Sequence, residues 1–175
     1  MEDLKKYIRN ILDFPRKGIL FRDITPLLNN PDAFDKVINY ITDYYKGMNV
    51  DKIVGIESRG FILGSVLAYK LKAGFVPARK PGKLPYQTIK EEYKLEYGID
   101  AIEIHRDAIR EGDNVVLHDD LLATGGTASA ACKLIEKLGG KIIGVSFLIE
   151  LKFLNGREKL KKYDVHSLIS YDSEQ

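Results

Sequence analysis

The chain has 175 residues, 45% of them hydrophobic and 30% charged, with 27 basic residues against 25 acidic and a net charge of +2. That length suits a single domain with a sizeable core, and the near balance of charge leaves no electrostatic footprint for nucleic acid or an anionic membrane. The one cysteine, Cys132, rules out an internal disulfide and fits a reducing compartment. The charged opening EDLKK lacks the apolar character of a secretion signal, and no run approaches the roughly 20 apolar residues of a membrane span, so the expected location is cytoplasmic.

The first readable element is a helix from Pro31 to about Tyr45, with Phe34, Val37, Ile38 and Ile41 on one stripe. Pro31 suits the first helical turn, where a missing N–H costs nothing. Ile53-Val54-Gly55-Ile56 reads as a buried strand, followed by the turn ESRG, a helical pattern from Phe61 to Lys72, Gly74, and a second apolar run at Phe75-Val76. Residues 81–98, PGKLPYQTIKEEYKLEYG, are polar and read as a long loop, a feature that in compact domains commonly serves as a lid. Alternation in Ile102-Glu103-Ile104 marks a strand leading to the turn Glu111-Gly112-Asp113. The grammar of the first unit then repeats: Val115-Val116-Leu117, an acidic pair, a glycine turn, a helix from Thr127 to Leu138, and a strand from Ile142 to Ile149. Ala128, Ala131, Ile135 and Leu138 share one face of that helix, and Gly139 caps its end. Past Glu150 the pattern weakens to a short helical turn and a late edge strand. Strands alternating with helices of this length imply parallel βαβ units, hence an α/β fold with helices on both faces of a sheet.

Ligands of open α/β sheets bind beyond the carboxyl ends of the strands. VVLHDDLLATGGT (115–127) places Asp119 and Asp120 at such an end, with Thr124-Gly125-Gly126-Thr127 opening the next helix. Adjacent glycines expose consecutive backbone N–H groups, the helix dipole adds positive potential, and the two threonines add hydroxyl donors, so the turn suits a phosphate. It lacks the Gly-Lys-Ser/Thr ending of a triphosphate loop, and no lysine lies between Asp120 and Lys133, which favours one phosphate monoester. An ionised Asp is acceptor-only, so the acidic pair suits vicinal sugar hydroxyls, or the water shell of a shared Mg²⁺ ion. The ligand this composes is a ribose 5-phosphate. An acidic pair alone would more often be an ordinary helix start; the ordered sequence of apolar strand, acids and glycine turn carries the reading.

On these residues the chain resembles the type I phosphoribosyltransferases, and LLATGGT is similar to the branch that uses adenine. DFPRKGILFRDITPLL (13–28), GIESRGF (55–61), ARKPGKLP (78–85) and YKLEYG (93–98) match the family in order, and ELKFLNGREKL (150–160) also looks familial. The resemblance implies one phosphoribosyltransferase domain: a parallel sheet flanked by helices, a base-binding hood from about residues 1–30 and a flexible catalytic loop from about 81–100. It implies Mg²⁺-dependent transfer from phosphoribosyl pyrophosphate (PRPP) to adenine, giving AMP and pyrophosphate, generally in a homodimer. Mg²⁺ would be held mainly through PRPP, pyrophosphate and water, without a dedicated protein metal site. Carried onto matching positions, Asp119 and Asp120 would hold the ribose hydroxyls, and Ala123, Thr124, Gly125, Gly126 and Thr127 the 5′-phosphate. Arg59, Arg79, Lys80 and Lys83 would meet pyrophosphate. Phe21 would stack on the purine opposite Leu121, with Arg22 and the backbone of Leu20 at its polar edge. Glu96, Tyr97 and Arg59 would be catalytic, Glu96 exchanging a proton with the base. A non-proline cis peptide is expected near Ser58 and Arg59. His118 departs from the family, which has an aliphatic residue before the acidic pair, and is expected to be a packed imidazole.

Two other functions compete. A phosphoribosyltransferase for xanthine, hypoxanthine or guanine would share the PRPP site, and FRDITP with LEYG weighs against it. A PRPP-sensing regulator would need a DNA-binding segment, which the near-neutral charge does not support. His105, His118 and His166 lack metal-ligand spacing, and Cys132, inside a helical pattern, reads as a packing residue.

Overall fold

The computed structural model describes residues 2–95 and 98–174. A 3₁₀ turn (Glu2–Tyr7) leads into an antiparallel pair of three-residue strands, β1 (Arg9–Ile11) and β2 (Phe21–Asp23), in register Asn10 with Arg22. A single-turn helix α1 (Thr25–Leu28) and the amphipathic α2 (Pro31–Tyr45) follow. Asn30 caps α2 by accepting the Ala33 N–H at 2.9 Å, one turn ahead of the buried stripe Val37, Ile38, Ile41 and Tyr45. Then come β3 (Lys52–Ile56), α3 (Gly60–Leu71) and β4 (Gly74–Ala78), followed by the paired β5 (Thr88–Leu95) and β6 (Gly98–His105). The last third holds β7 (Asn114–Leu122), α4 (Gly126–Lys137), β8 (Lys141–Leu151), two 3₁₀ turns (Lys152–Leu154 and Gly156–Leu160) and β9 (Val165–Tyr171).

The central sheet has the order β4-β3-β7-β8-β9, every pair parallel. Because side chains alternate along a strand, each strand feeds two cores. Ile53, Val116, Leu148 and Ile149 pack with Val37, Ile41, Leu63 and Leu67 of α2 and α3. Val54, Leu117, Val145 and Phe147 pack on the other face with Ala131, Leu134 and Ile135 of α4, joined by Ile102 and Ile104 of β6. The second βαβ unit closes as its sequence implies. Gly139 takes φ +86°, which glycine adopts without strain, and the Gly140 N–H reaches back to the Ile135 carbonyl at 3.0 Å.

Two elements differ from the sequence reading. The stretch read as a loop over 81–98 contains β5, whose half-buried Ile89, Glu91 and Tyr93 alternate with exposed Lys90, Glu92 and Lys94. Its charged composition hides that period, because Lys and Glu are depleted in strands. And β7 does not stop at Leu117. Asp119 still pairs with Phe147, and Leu122 with Glu150, so the acidic pair lies within the strand.

Candidate functional site

From β3 the chain crosses through α3 to β4 on one side; from β7 it crosses through α4 to β8 on the other. The carboxyl ends of β3 and β7, neighbours in the sheet, therefore form the topological switch point where open α/β sheets bind ligands. A cavity of 430 Å³ opens there. Glu57, Ser58 and Arg59 line it from the end of β3, and Asp119, Asp120 and Leu121 from β7. Phe21 of β2 and Lys80 and Tyr93 of the β4–β5 region close its rim. A smaller 90 Å³ recess, lined by Ala123, Thr124, Gly125, Gly126 and Thr127, shares Asp119, Leu121 and Thr127 with the main cavity.

The recess is a fixed backbone feature. Gly125, the N-cap of α4, has φ +74°, and a side chain there would collide with the Gly156 carbonyl oxygen. Gly156, in the ELKFLNGREKL segment, could likewise gain no Cβ without striking the carbonyl of Ala123. Glu150 anchors that segment through Arg157, at 2.6 and 2.7 Å, and through the Ser167 hydroxyl. Lys159 of the same segment places its ammonium 3.9 Å from where a Cβ on Gly126 would stand. The basic side chain missing from the glycine turn itself thus arrives from distant sequence.

Asp120 is buried and Asp119 half-buried, and Asp119 Oδ1 accepts the Asp120 N–H at 2.9 Å. Burial raises both carboxyl pKa values above the ordinary range; the neighbouring Asp120 charge adds to the effect at Asp119, while Arg59 opposes it at Asp120. Arg59 Nε stands 2.7 Å from Asp120 Oδ2, an ion pair by distance without hydrogen-bond alignment, and its Cζ lies 4.8 Å from the Phe21 ring centroid. One guanidinium therefore covers both the aromatic face and the acid.

The other cations gather around two carboxylates. Glu57 accepts the Lys80 N–H at 2.6 Å and Arg79 Nε at 3.2 Å, and also pairs with Lys83 Nζ. Burial works against its charge, but Lys83, the Lys80 N–H and Arg79 outweigh it and hold the Glu57 pKa below the usual carboxylate value. Lys80 Nζ pairs with Asp100 and donates to the Tyr93 hydroxyl oxygen at 2.9 Å. A cis peptide joins Glu57 to Ser58.

Of the residues singled out by sequence, the cavity and its recess bring together Phe21, Arg59, Lys80, Asp119, Asp120, Leu121 and the whole 123–127 turn. Arg79 and Lys83 stand one layer back, on Glu57. Leu20 lines a separate hollow with Leu12 and Ile19. The Arg22 guanidinium points away from the cavity, against Asn10, Glu174 and the Tyr171 ring. Glu96 and Tyr97 lie outside the described residues. Glu57, Tyr93 and Lys159 were not singled out in the sequence, although each lies in a stretch that matches the family: GIESRGF, YKLEYG and ELKFLNGREKL.

The fold and the site together define a class, and residues 23–173 match the phosphoribosyl transferase domain family. Adenine phosphoribosyltransferases of Brachyspira hyodysenteriae and Christiangramia forsetii are 59% and 58% identical over 169 residues, 97% of this chain and 99% of theirs. The crystal structure of adenine phosphoribosyltransferase from Thermoanaerobacter pseudethanolicus superposes with a TM-score of 0.94 at 54% identity, covering 97% of this chain and 99% of that one. The chain belongs to this family, in its adenine phosphoribosyltransferase branch.

Proposed function

We propose that the protein transfers the 5-phosphoribosyl group of PRPP to adenine, releasing AMP and pyrophosphate, as a purine salvage enzyme. The observation that carries this is the joining, in the cavity at the β3–β7 switch point and its adjoining recess, of an aromatic–aliphatic slot, two acids, a glycine turn and cationic side chains. These match the four parts of the combined substrates. The Giardia lamblia relative, 42% identical with a TM-score of 0.93, is solved with 9-deazaadenine, and the Trypanosoma brucei relative with AMP, pyrophosphate and ribose-5-phosphate.

Adenine stacks between Phe21 and Leu121. Its polar edge faces the backbone at Leu20, beside β2, which pairs only with β1 among the described residues and so keeps one edge of main-chain groups open. Asp119 and Asp120 accept the ribose hydroxyls, and the 123–127 N–H groups take the 5′-phosphate. Arg59 leaves Phe21 and Asp120 to meet pyrophosphate; Lys80 faces the same group, with Arg79 and Lys83 behind it. As the C1–oxygen bond to pyrophosphate breaks, a ring nitrogen of adenine bonds to C1 and yields its proton to Glu96; Tyr97 belongs to the same catalytic loop. Positive character on the ribose ring is stabilised by the two acids of β7. Asp119 and Asp120, carboxylates lining the cavity, would suit the water shell of a Mg²⁺ ion shared with the substrate. Bound there, Mg²⁺ would neutralise pyrophosphate charge. The enzyme works as a homodimer in the cytoplasm, a reducing compartment that suits its buried free thiol.

The test is product stoichiometry. Purified protein with Mg²⁺, PRPP and adenine should form AMP and pyrophosphate in equal amounts, and chelation of Mg²⁺ should stop both. Pyrophosphate release that does not depend on adenine would refute the transfer.

A further inference from the structure

Phe21 and Arg22 are neighbours on a strand, so their side chains leave opposite faces of β2. Phe21 faces the cavity. Arg22, only 4% exposed, is committed elsewhere: one terminal nitrogen donates to Asn10 Oδ1 of β1 at 2.5 Å, the other to the Glu174 carbonyl at 2.9 Å, and Cζ lies 3.9 Å over the Tyr171 ring. A buried guanidinium with two directed bonds and a stacked face fixes what it touches, because its planar fork has one geometry that satisfies all three. What it touches are the two strands of the N-terminal pair, the end of β9 and the C-terminal tail.

We infer that Arg22 is a positioning residue for purine recognition, which clamps the β1–β2 pair to the end of the core sheet and so sets the distance of Phe21 and the open edge of β2 from Leu121. This rests on the proposed reaction and deepens it: the guanidinium governs the base subsite from the face of β2 turned away from the base. The Asp119–Asp120 pair and the glycine turn sit on β7 and at the start of α4, outside the clamp, so their hold on the ribose and 5′-phosphate is independent of it.

The experiment compares the parent enzyme with Arg22→Lys, Tyr171→Leu and the double variant, measuring Michaelis constants for adenine and PRPP, turnover, and preference for adenine over hypoxanthine. Arg22→Lys keeps the charge but loses the fork, and Tyr171→Leu removes the stacked face at a residue remote from the cavity. Arg22→Lys should raise the adenine constant about tenfold, the scale of one lost charge-assisted hydrogen bond, and Tyr171→Leu about fivefold, the scale of one cation–π contact. The PRPP constant should stay within about twofold and the adenine preference should fall; the double variant should be no worse than the worse single, as expected for one shared unit. A silent Tyr171→Leu beside an impaired Arg22→Lys would overturn the clamp in favour of direct contact with the base. Equal losses for both substrates would overturn it in favour of a general folding role. A parent inactive with every purine overturns the proposed reaction and the clamp together, whereas an active parent with unchanged variants overturns the clamp alone.

Discussion

His118 should make folding stability depend on pH without entering the chemistry. It is fully buried in β7, with Nδ1 3.3 Å from the Ser146 hydroxyl and Nε2 without a partner. Gly64 of α3 packs on its ring edge, and Asp119 is the adjacent ionisable residue in the strand. Burial lowers its pKa from 6.5 to about 3. Below pH 6.5 the unfolded chain takes up a proton that the folded chain refuses, so the stability is intact above that value and is lost as pH falls toward 3. At 1.36 kcal/mol per unit, the loss attributable to His118 is about 2 kcal/mol at pH 5. His118→Val removes this linkage. It forfeits the Ser146 contact, worth about 1 kcal/mol, and removes an orphaned buried nitrogen of similar cost, so the two proteins should be nearly equal at pH 7.5. Urea unfolding at pH 7.5, 6.5, 5.5 and 5.0 measures the difference. The valine variant should gain on the parent by about 2 kcal/mol at pH 5, with turnover unaltered between pH 5 and 8. Parallel stability curves would refute the assignment of a neutral buried imidazole, and loss of a titration in the rate profile would make His118 a functional group.

Three further outcomes follow from the site. Asp120→Asn keeps shape but removes the charge that accepts ribose hydroxyls, so the PRPP constant should rise while the melting temperature holds; normal activity at low PRPP would mark the acids as structural. Arg59→Ala uncovers the Phe21 ring, and calorimetry without PRPP should find adenine bound about fivefold more tightly, in keeping with the loss of a competing cation–π contact, while PRPP use weakens; unchanged adenine affinity would show that Arg59 does not occupy the slot. Glu96→Gln cannot accept a proton, so turnover should drop by about 10²–10⁴ with binding of both substrates nearly intact; a collapse of binding would instead make Glu96 a ligand-holding residue.

The parts of the fold legible in sequence are those built from local period. The stripe of α2, the apolar runs of β3 and β8 and the small-residue face of α4 each declare their element within a dozen residues. The acids and the glycine turn were legible for the same reason, since strand, acids and turn are contiguous. The rest depends on distance along the chain. The β1–β2 pair consists of three-residue strands, too short to show a period, and nothing near Arg22 announces a carbonyl 152 residues away. That is why Arg22 reads from sequence as a base-facing side chain, whereas the strand alternation turns it from the slot. Lys159 meets Gly126 only because Gly156 packs on the glycine turn. β5 was concealed by lysines and glutamates that alternate correctly but in the wrong residue types, with Glu91 accepting from Lys137 at 2.6 Å and Lys133 at 3.2 Å of α4.

The most direct test of the account is one panel of purine bases, each assayed for kcat/KM with saturating PRPP and Mg²⁺. A slot organised around a single purine edge leaves buried polar groups unpaired with the wrong base, which can cost about 10⁴-fold. Adenine should be consumed with an advantage of about that order of magnitude over hypoxanthine, guanine and xanthine. Preferential turnover of any 6-oxopurine would contradict it.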